Sequence, residues 1–229
     1  MSSIKILALS DLHVRKRFPF NEIQQLITQE SIDLVIISGD FTMWGDKEKV
    51  TSVLDAVGQN NILVYYVPGN MDTHQSTDIE FKNIHPLHGK AINFSGFNFI
   101  GIGGANPTPF NTPFELSEEE IANILVNAEK MIETNDPIIL VSHPPPKDTD
   151  ADKIGRGQHV GSTSVRKFIE RKQPILVLCG HIHESKSISK MNDTVIVNPG
   201  AAMHSNAAII TIEKKGEKIE INPILTTFN

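Results

Sequence analysis

The sequence predicts an α/β fold on two observations: strand-length apolar runs rich in β-branched residues recur along the chain, and segments of helical periodicity lie between them. A third observation says where such a fold would work. Polar residues able to bind a metal follow nearly every one of the runs.

In chain order, the runs are Ile4–Leu9, Leu34–Ile37, Ile62–Val67, Ile138–Val141 and Ile175–Leu178. Glu22, Ile23, Leu26 and Ile27 carry helical spacing after the first, and Val50, Val53, Leu54 and Val57 after the second, ending near Gly58. Ser117 followed by Glu118, Glu119 and Glu120 has the pattern of a capping box. It opens a helix carrying Ile121, Ile124, Leu125, Ala128 and Ile132, which Asp136 and Pro137 stop. Val165, Phe168 and Ile169 mark a fourth helical face, and Thr194–Val197, Ala207–Ile212 and Lys218–Ile221 read as strands joined by tight turns. Alternating strand and helix implies a largely parallel sheet covered on both faces. Two irregular stretches, Asn106–Phe114 and Pro144–Gly161, read as surface connections or as lids over a site.

A chain of 229 residues is read as one domain, 1–229, large enough to bury roughly 70% of its unfolded surface without disulfides. Its single cysteine, Cys179, excludes an internal disulfide and a Cys-rich zinc site, fits a reducing cytoplasm, and reads as a small buried residue. The first ten residues contain no basic n-region, and no run approaches the roughly 18 apolar residues of a membrane span. The expected location is therefore cytoplasmic, away from membranes. A formal net charge of -6 argues against a general nucleic-acid-binding surface. A homodimer is left open.

The positions of the polar residues carry the functional reading. Asp11 and His13 follow the first run, Asp40 follows the second through Ser38 and Gly39, and Asn70 follows the third through Pro68 and Gly69. His143 follows the fourth through Ser142; His181 and His183 follow the fifth through Cys179 and Gly180. Ligands of open α/β sheets bind outside the carboxyl ends of the strands, so these seven are expected to converge on one crevice. Asp11 with His13, and His181 with His183, are spaced i, i+2, which in extended chain sends both side chains to one side. Glycines before Asp40, Asn70 and His181 let the backbone turn sharply.

Two carboxylates, a carboxamide and four imidazoles exceed the needs of one ion but suit a pair about 3.5 to 4 Å apart. Mixed nitrogen and oxygen ligation without thiolate fits Mn²⁺, Fe, Zn²⁺, Ni²⁺ or Co²⁺ better than Ca²⁺, with Mn²⁺ the favoured expectation. Two aspartates leave part of the cation charge free to attract a phosphoryl group. Each piece alone has a plainer account: a GD after a strand is common, His143 before three prolines could be a core histidine, and Asn70 could serve a turn. Their order along successive strand ends is what those accounts leave unexplained.

The blocks DLH, GD at Gly39 and Asp40, GN at Gly69 and Asn70, SHPP at Ser142–Pro145 and GHIH at Gly180–His183 resemble the signature of the calcineurin-like metallophosphoesterases. His159–Ser162 and Asn198–Gly200 resemble its small microbial branch of predicted phosphoesterases, although the last is equally a tight turn. The resemblance implies a four-layer α/β/β/α sandwich with two central mixed sheets. It also implies that Asp11, His13, Asp40 and His183 hold one metal and Asp40, Asn70, His143 and His181 the other, with Asp40 bridging.

The activity implied is hydrolysis of a small-molecule phosphoester, a diester foremost, by a metal-bridging hydroxide attacking in line. Two alternatives stay open: a phosphomonoesterase or protein phosphatase, and a non-catalytic interaction module such as a retromer subunit of this fold. One departure matters, because many relatives place a histidine after the Asn ligand and this chain has Met71, then Asp72. A thioether cannot transfer a proton. His74, His159 and His204 are candidate replacements, and His159 joins Asp40 and Asn70 as a candidate catalytic residue. Arg15 and Arg17 could hold a phosphate or belong to a solvated loop.

Overall fold

Alternating burial along the strands sorts the molecule into layers. The structure is a computed structural model describing residues 2–15, 17–216 and 218–228; Met1, Lys16, Glu217 and Asn229 lie outside the described residues. On β1 (Ser2–Leu9), Leu7 and Leu9 face one way and Ile4, Ile6 and Ala8 the other. Leu7 and Leu9 join Val35 and Ile37 of β2 (Leu34–Ser38) and Val64 and Tyr66 of β3 (Leu63–Val67). That core is closed by Ile23 and Ile27 of α1 (Phe20–Gln29) and by Val50, Val53 and Leu54 of α2 (Lys47–Val57).

The opposite face of these strands packs on a second sheet. Ile4, Ile6, Leu34, Ile36 and Tyr65 meet Phe97 and Phe99 of β6 (Phe97–Ile102), Ile139 and Val141 of β7 (Ile138–Ser142), and Leu176 and Leu178 of β10 (Leu176–Leu178). A third core sets Ile100, Ile102, Leu140 and Val177 against Ile121 and Leu125 of α3 (Glu118–Glu129) and Val165, Phe168 and Ile169 of α4 (Thr163–Lys172). Three apolar cores separate four layers: helices, sheet, sheet, helices.

The first sheet runs β14 (Lys218–Thr227), β13 (Asn206–Lys215), β1, β2, β3, β4 (Ile84–Pro86). It is parallel from β1 to β4 and antiparallel at β13 and β14. The second runs β11 (Ser187–Met191), β12 (Thr194–Asn198), β10, β7, β6, β5 (Ala91–Phe94), parallel inside and antiparallel at both edges. A two-residue hairpin, β8 (Lys153–Ile154) with β9 (Gln158–His159), stands apart.

Periodicity alone suggests one largely parallel sheet, and the structure corrects this to two mixed sheets. A strand buried on both faces is a continuous apolar run whether a helix or another sheet covers it, so the run cannot tell the two apart. Strands β4, β5, β6 and β11 lie outside the predicted runs. Ser95 and Gly96, the two residues between β5 and β6, have φ of 53° and 78°, the left-handed pair of a tight hairpin turn.

The capping box at Ser117 is formed, with Ser117 Oγ accepting from Glu120 N at 3.2 Å and Glu120 Oε2 accepting from Ser117 N at 2.8 Å. The α3 helix ends at Glu129 rather than reaching Ile132, because Met131 and Ile132 donate to Ala128 and Glu129 in i→i−3 turns. Among the described residues no helix is long and apolar enough to cross a membrane.

Candidate metal centre

Each predicted ligand sits on a loop leaving the carboxyl end of a parallel strand, and backbone hydrogen bonds zip these loops together. Asp11 N donates to Gly39 O at 2.9 Å and His13 N to Asp40 O at 2.9 Å, which locks the loop after β1 onto the loop after β2. Gly180 N donates to His143 O at 3.1 Å, joining the loops after β7 and β10. The loops must also approach closely. A Cβ on Gly69 would strike Asp40, and one on Gly180 would strike Ser10, so no larger residue fits at either place. Of the three glycines, only Gly39 turns through positive φ, at 93°.

Four of the seven predicted ligands are themselves in left-handed backbone: Asp11 at φ 55°, His13 at 41°, Asp40 at 57° and His181 at 69°. Such conformations cost on the order of 1–3 kcal/mol each for non-glycine residues and persist where function requires them. They also correct the spacing argument. Asp11 and His13 converge through two left-handed kinks rather than through extended alternation.

The seven side chains meet in one place. Asp40 Oδ2 lies 3.5 Å from His13 Nε2 and 3.6 Å from His143 Nε2, between the two sheets' contributions. Asp11 Oδ1 lies 3.2 Å from His183 Nε2, which is itself 3.2 Å from His13 Nε2. His143 Nε2 lies 2.9 Å from Asn70 Oδ1, and the His143 and His181 rings stand 5.1 Å apart. Two subsets, Asp11–His13–His183 and Asp11–Asp40–His143, place one ligand atom each within 4.8 Å of the others, close enough to hold a cation.

The chemistry of this set fits a cation. His143 Nδ1 lies 2.6 Å from Ser38 O, and a carbonyl only accepts, so the proton sits on Nδ1 and the Nε2 lone pair faces inward. That lone pair points at the Asn70 oxygen and at Asp40, an arrangement of acceptors that positive charge would stabilise. Burial pushes the His13 imidazole down to about 4 and His181 to about 3, and it lowers His143, so all three are neutral with a lone pair to offer. Burial and the neighbouring Asp72 and Asp11 carboxylates push Asp40 well above its ordinary value. Although burial acts upward on Asp11 too, the hydrogen bond to His183 holds it well below the usual carboxylate range, and the same bond raises His183.

One residue enters the sequence reading only as part of a departure, yet it holds the site up. Asp72 is fully buried, and its Oδ2 accepts from Gly69 N at 2.8 Å and Asp40 N at 2.9 Å while Oδ1 accepts from Phe41 N at 3.1 Å. It staples the loop carrying Asn70 to the loop carrying Asp40. Burial pushes its carboxyl up to about 7 against the pull of these donors. Met71 contributes its backbone, donating to Asp40 Oδ1 at 2.8 Å.

The remaining histidines separate. His204, on the short 3₁₀ turn Ala202–His204, lines the same cavity of about 460 Å³ as His13, Asp40, Asn70, His181 and His183. The turn is held there by Ala202 N donating to Ser10 O at 2.8 Å and Met203 N to Asp11 O at 3.1 Å. His74 instead packs its ring 4.1 Å from Phe114. The structure does not bring His159 to the cluster: its Nδ1 lies 2.6 Å from Asp152 Oδ1, and it lines another cavity with Lys153, Arg166 and Lys190. Arg15 lines the cluster's cavity and also the neighbouring groove that Arg17 opens onto. Asn198 is buried, donating to Ile182 O at 3.0 Å and accepting from Gly200 N at 2.9 Å, so it braces the His181 loop. Cys179 is buried, and burial pushes its thiol far up, leaving it inert.

Fold and site together define a four-layer α/β protein with a candidate metal centre at its strand ends. The chain belongs to the calcineurin-like phosphoesterase family, whose model matches residues 4–185. It is 38% identical over 200 residues to the uncharacterised protein MJ1162 of Methanocaldococcus jannaschii, covering 86% of this chain and 88% of that one. It is 22% identical over 189 residues to the probable glycerophosphodiester phosphodiesterase GpdQ of Arcobacter nitrofigilis, covering 81% and 68%. Among solved structures, TT1561 of Thermus thermophilus superposes with a TM-score of 0.68 at 16% identity, covering 96% and 99%, a likeness of fold.

Proposed function

We propose that the chain is a dinuclear-metal-dependent phosphoester hydrolase that favours diesters. The observation that carries this reading is the position of Asp40 Oδ2 between His13 and His143, one in each group of acceptors. Asp11, His13, Asp40 and His183 would hold one cation and Asp40, Asn70, His143 and His181 the other, with Mn²⁺ the favoured ion. When bound, the pair would lower the pKa of a water to supply hydroxide and neutralise the phosphoryl oxygens.

The chain's own residues do the rest. Met71 N and the Asp72 staple orient Asp40, and the Ser38 carbonyl fixes the His143 tautomer. With Met71 in place of a histidine, His204 is the histidine outside the ligand set that lines the cavity among the described residues, and we assign it the transfer of a proton to the departing oxygen. Such a donor matters most for a strongly basic departing oxygen. A diester, with one charge, also requires less neutralisation than a dianionic monoester. That one distant relative is named as a glycerophosphodiester phosphodiesterase agrees with this preference.

Chelation tests the reading. Removal of divalent ions should abolish hydrolysis of bis(p-nitrophenyl) phosphate, and Mn²⁺ should restore it, with kcat/KM on this diester exceeding that on p-nitrophenyl phosphate. Turnover that survives complete demetallation would sink the metal-dependent reading, and a monoester preference would sink the diester one.

A further inference from the structure

The mouth of this cavity is unusually apolar for a phosphate site. Eight large hydrophobic side chains are exposed among the described residues, and four of them, Met43, Trp44, Phe110 and Met203, line the cavity that holds the candidate ligands. They come from three separate loops. Met43 and Trp44 follow the Asp40 loop, Phe110 sits on the Asn106–Phe114 stretch, and Met203 belongs to the turn bonded to Asp11.

Two of the four are held out at a cost. Trp44, the single tryptophan of the chain, is 59% exposed and adopts left-handed backbone at φ 62°, a conformation a bulky residue avoids. Phe110 is 77% exposed, on a loop that is braced rather than slack. Glu115 Oε1 accepts from Thr108 Oγ1 at 2.6 Å, Thr112 N at 2.8 Å and Thr112 Oγ1 at 2.7 Å, and Phe110 N donates to Thr108 Oγ1 at 3.1 Å. Exposed apolar groups gathered at one place mark a binding surface. Arg15 lines the same cavity and makes no ion pair among the described residues, so a cation stands beside the apolar rim.

Resting on the phosphoesterase reading above, we propose that this rim is a subsite for a planar aromatic substituent of the phosphoester, with Trp44 and Phe110 as its contact faces and Arg15 beside the phosphate. A volume of about 460 Å³ admits a molecule of nucleotide size. Tryptophan offers the largest flat face for stacking, and methionines adapt around a ring's edge. An aliphatic substituent can fill such a rim but cannot stack on it. The ring could be a nucleobase or a simple aryl group, which share this chemistry.

The sole tryptophan reports directly on the subsite. With the full chain loaded with Zn²⁺, phenylphosphonate and methylphosphonate are titrated by calorimetry and by Trp44 emission, and adenosine 5′-monophosphate and ribose 5-phosphate form a second pair. Stacking predicts that the aromatic member of at least one pair binds on the order of tenfold tighter and alone perturbs Trp44 emission. Trp44→Ala and Phe110→Ala should each shrink that preference with bound metal unchanged, and Trp44→Phe should retain most of it. A larger ratio for the nucleotide pair identifies a nucleobase; equal ratios identify a simple aryl group. Equal affinities within both pairs, or a preference that survives Trp44→Ala with Phe110→Ala, overturn the subsite while leaving the phosphoesterase reading intact. If no phosphonate or nucleotide binds the loaded chain, the subsite falls, while the phosphoesterase reading stands or falls by the chelation assay. Emission that ignores every ligand but shifts with protein concentration assigns the patch to self-association and also overturns the subsite.

Discussion

Asp72 and Asp152 are both fully buried carboxylates that accept several backbone N–H groups, and they stand in two loops leaving the strand ends. Asp72 gathers Gly69, Asp40 and Phe41, so its loops deliver two candidate ligands to the crevice. Asp152 gathers Asp148, Thr149 and Gly161 and takes the His159 ring at 2.6 Å, so its loop closes on itself and turns that histidine aside. One device, a buried carboxyl group ordering backbone donors, braces the candidate ligands in one region and a loop outside their cluster in the other. Placement relative to the crevice decides which, and residue type does not.

The largest effect that could break this comparison comes from the histidines. His204→Ala should lower kcat/KM on an alkyl diester by about 10² to 10⁴, the usual worth of a positioned acid, and by less on an aryl diester whose oxygen leaves unaided. His159→Ala should leave both rates unchanged. Equal losses for the two variants would return the acid to the Asp152 loop.

Next come the aspartates themselves. In each Asn variant an amide NH₂ replaces an acceptor oxygen opposite backbone donors, and each unpaired buried group costs about 1–3 kcal/mol. Both variants should therefore lower Tm. Only Asp72→Asn should also weaken cation binding, by about 10- to 100-fold, the usual effect of losing an outer support. If calorimetric titration finds Asp152→Asn equally impaired, the two regions are not separate.

The smallest effect is in pH. His183 carries a raised pKa because Asp11 stabilises its imidazolium, so among the candidate histidines protons compete with a cation for it first as pH falls through its ordinary value of 6.5. His13 and His181, lowered to about 4 and about 3, are still neutral there. Apparent Mn²⁺ affinity should therefore fall as pH drops from 7 toward 6. His183→Ala, already weaker, should show a flatter dependence over the same interval; an unchanged slope would mean that another group titrates.

Much of this was legible in the sequence because parallel strands leave their ligands at one end. The runs before Asp11, Asp40, Asn70, His143 and His181 could each be seen, and the glycines beside Asp40 and Asn70 mark where the loops touch. The pairing of sheets was less legible, since Ile36 and Ile37 look alike in the sequence although one faces a sheet and the other helices. The left-handed turns at Asp11, His13 and His181 leave only a weak compositional trace, because aspartate and histidine visit that region more often than most residues but far less readily than glycine. The position of His159 outside the cluster was not legible for a related reason: the path of a loop is set by bonds such as those to Asp152, which join residues far from any periodic pattern.

Asp40 is proposed to serve two cations at once. Elemental analysis of the purified chain, after demetallation and reloading with Mn²⁺, should find two ions per wild-type chain. Asp40→Asn should hold fewer than one at matched free Mn²⁺ and lose diesterase activity, because both ions lose the same oxygen. An Asp40→Asn chain that keeps two ions and normal turnover would contradict the bridging assignment and the account built on it.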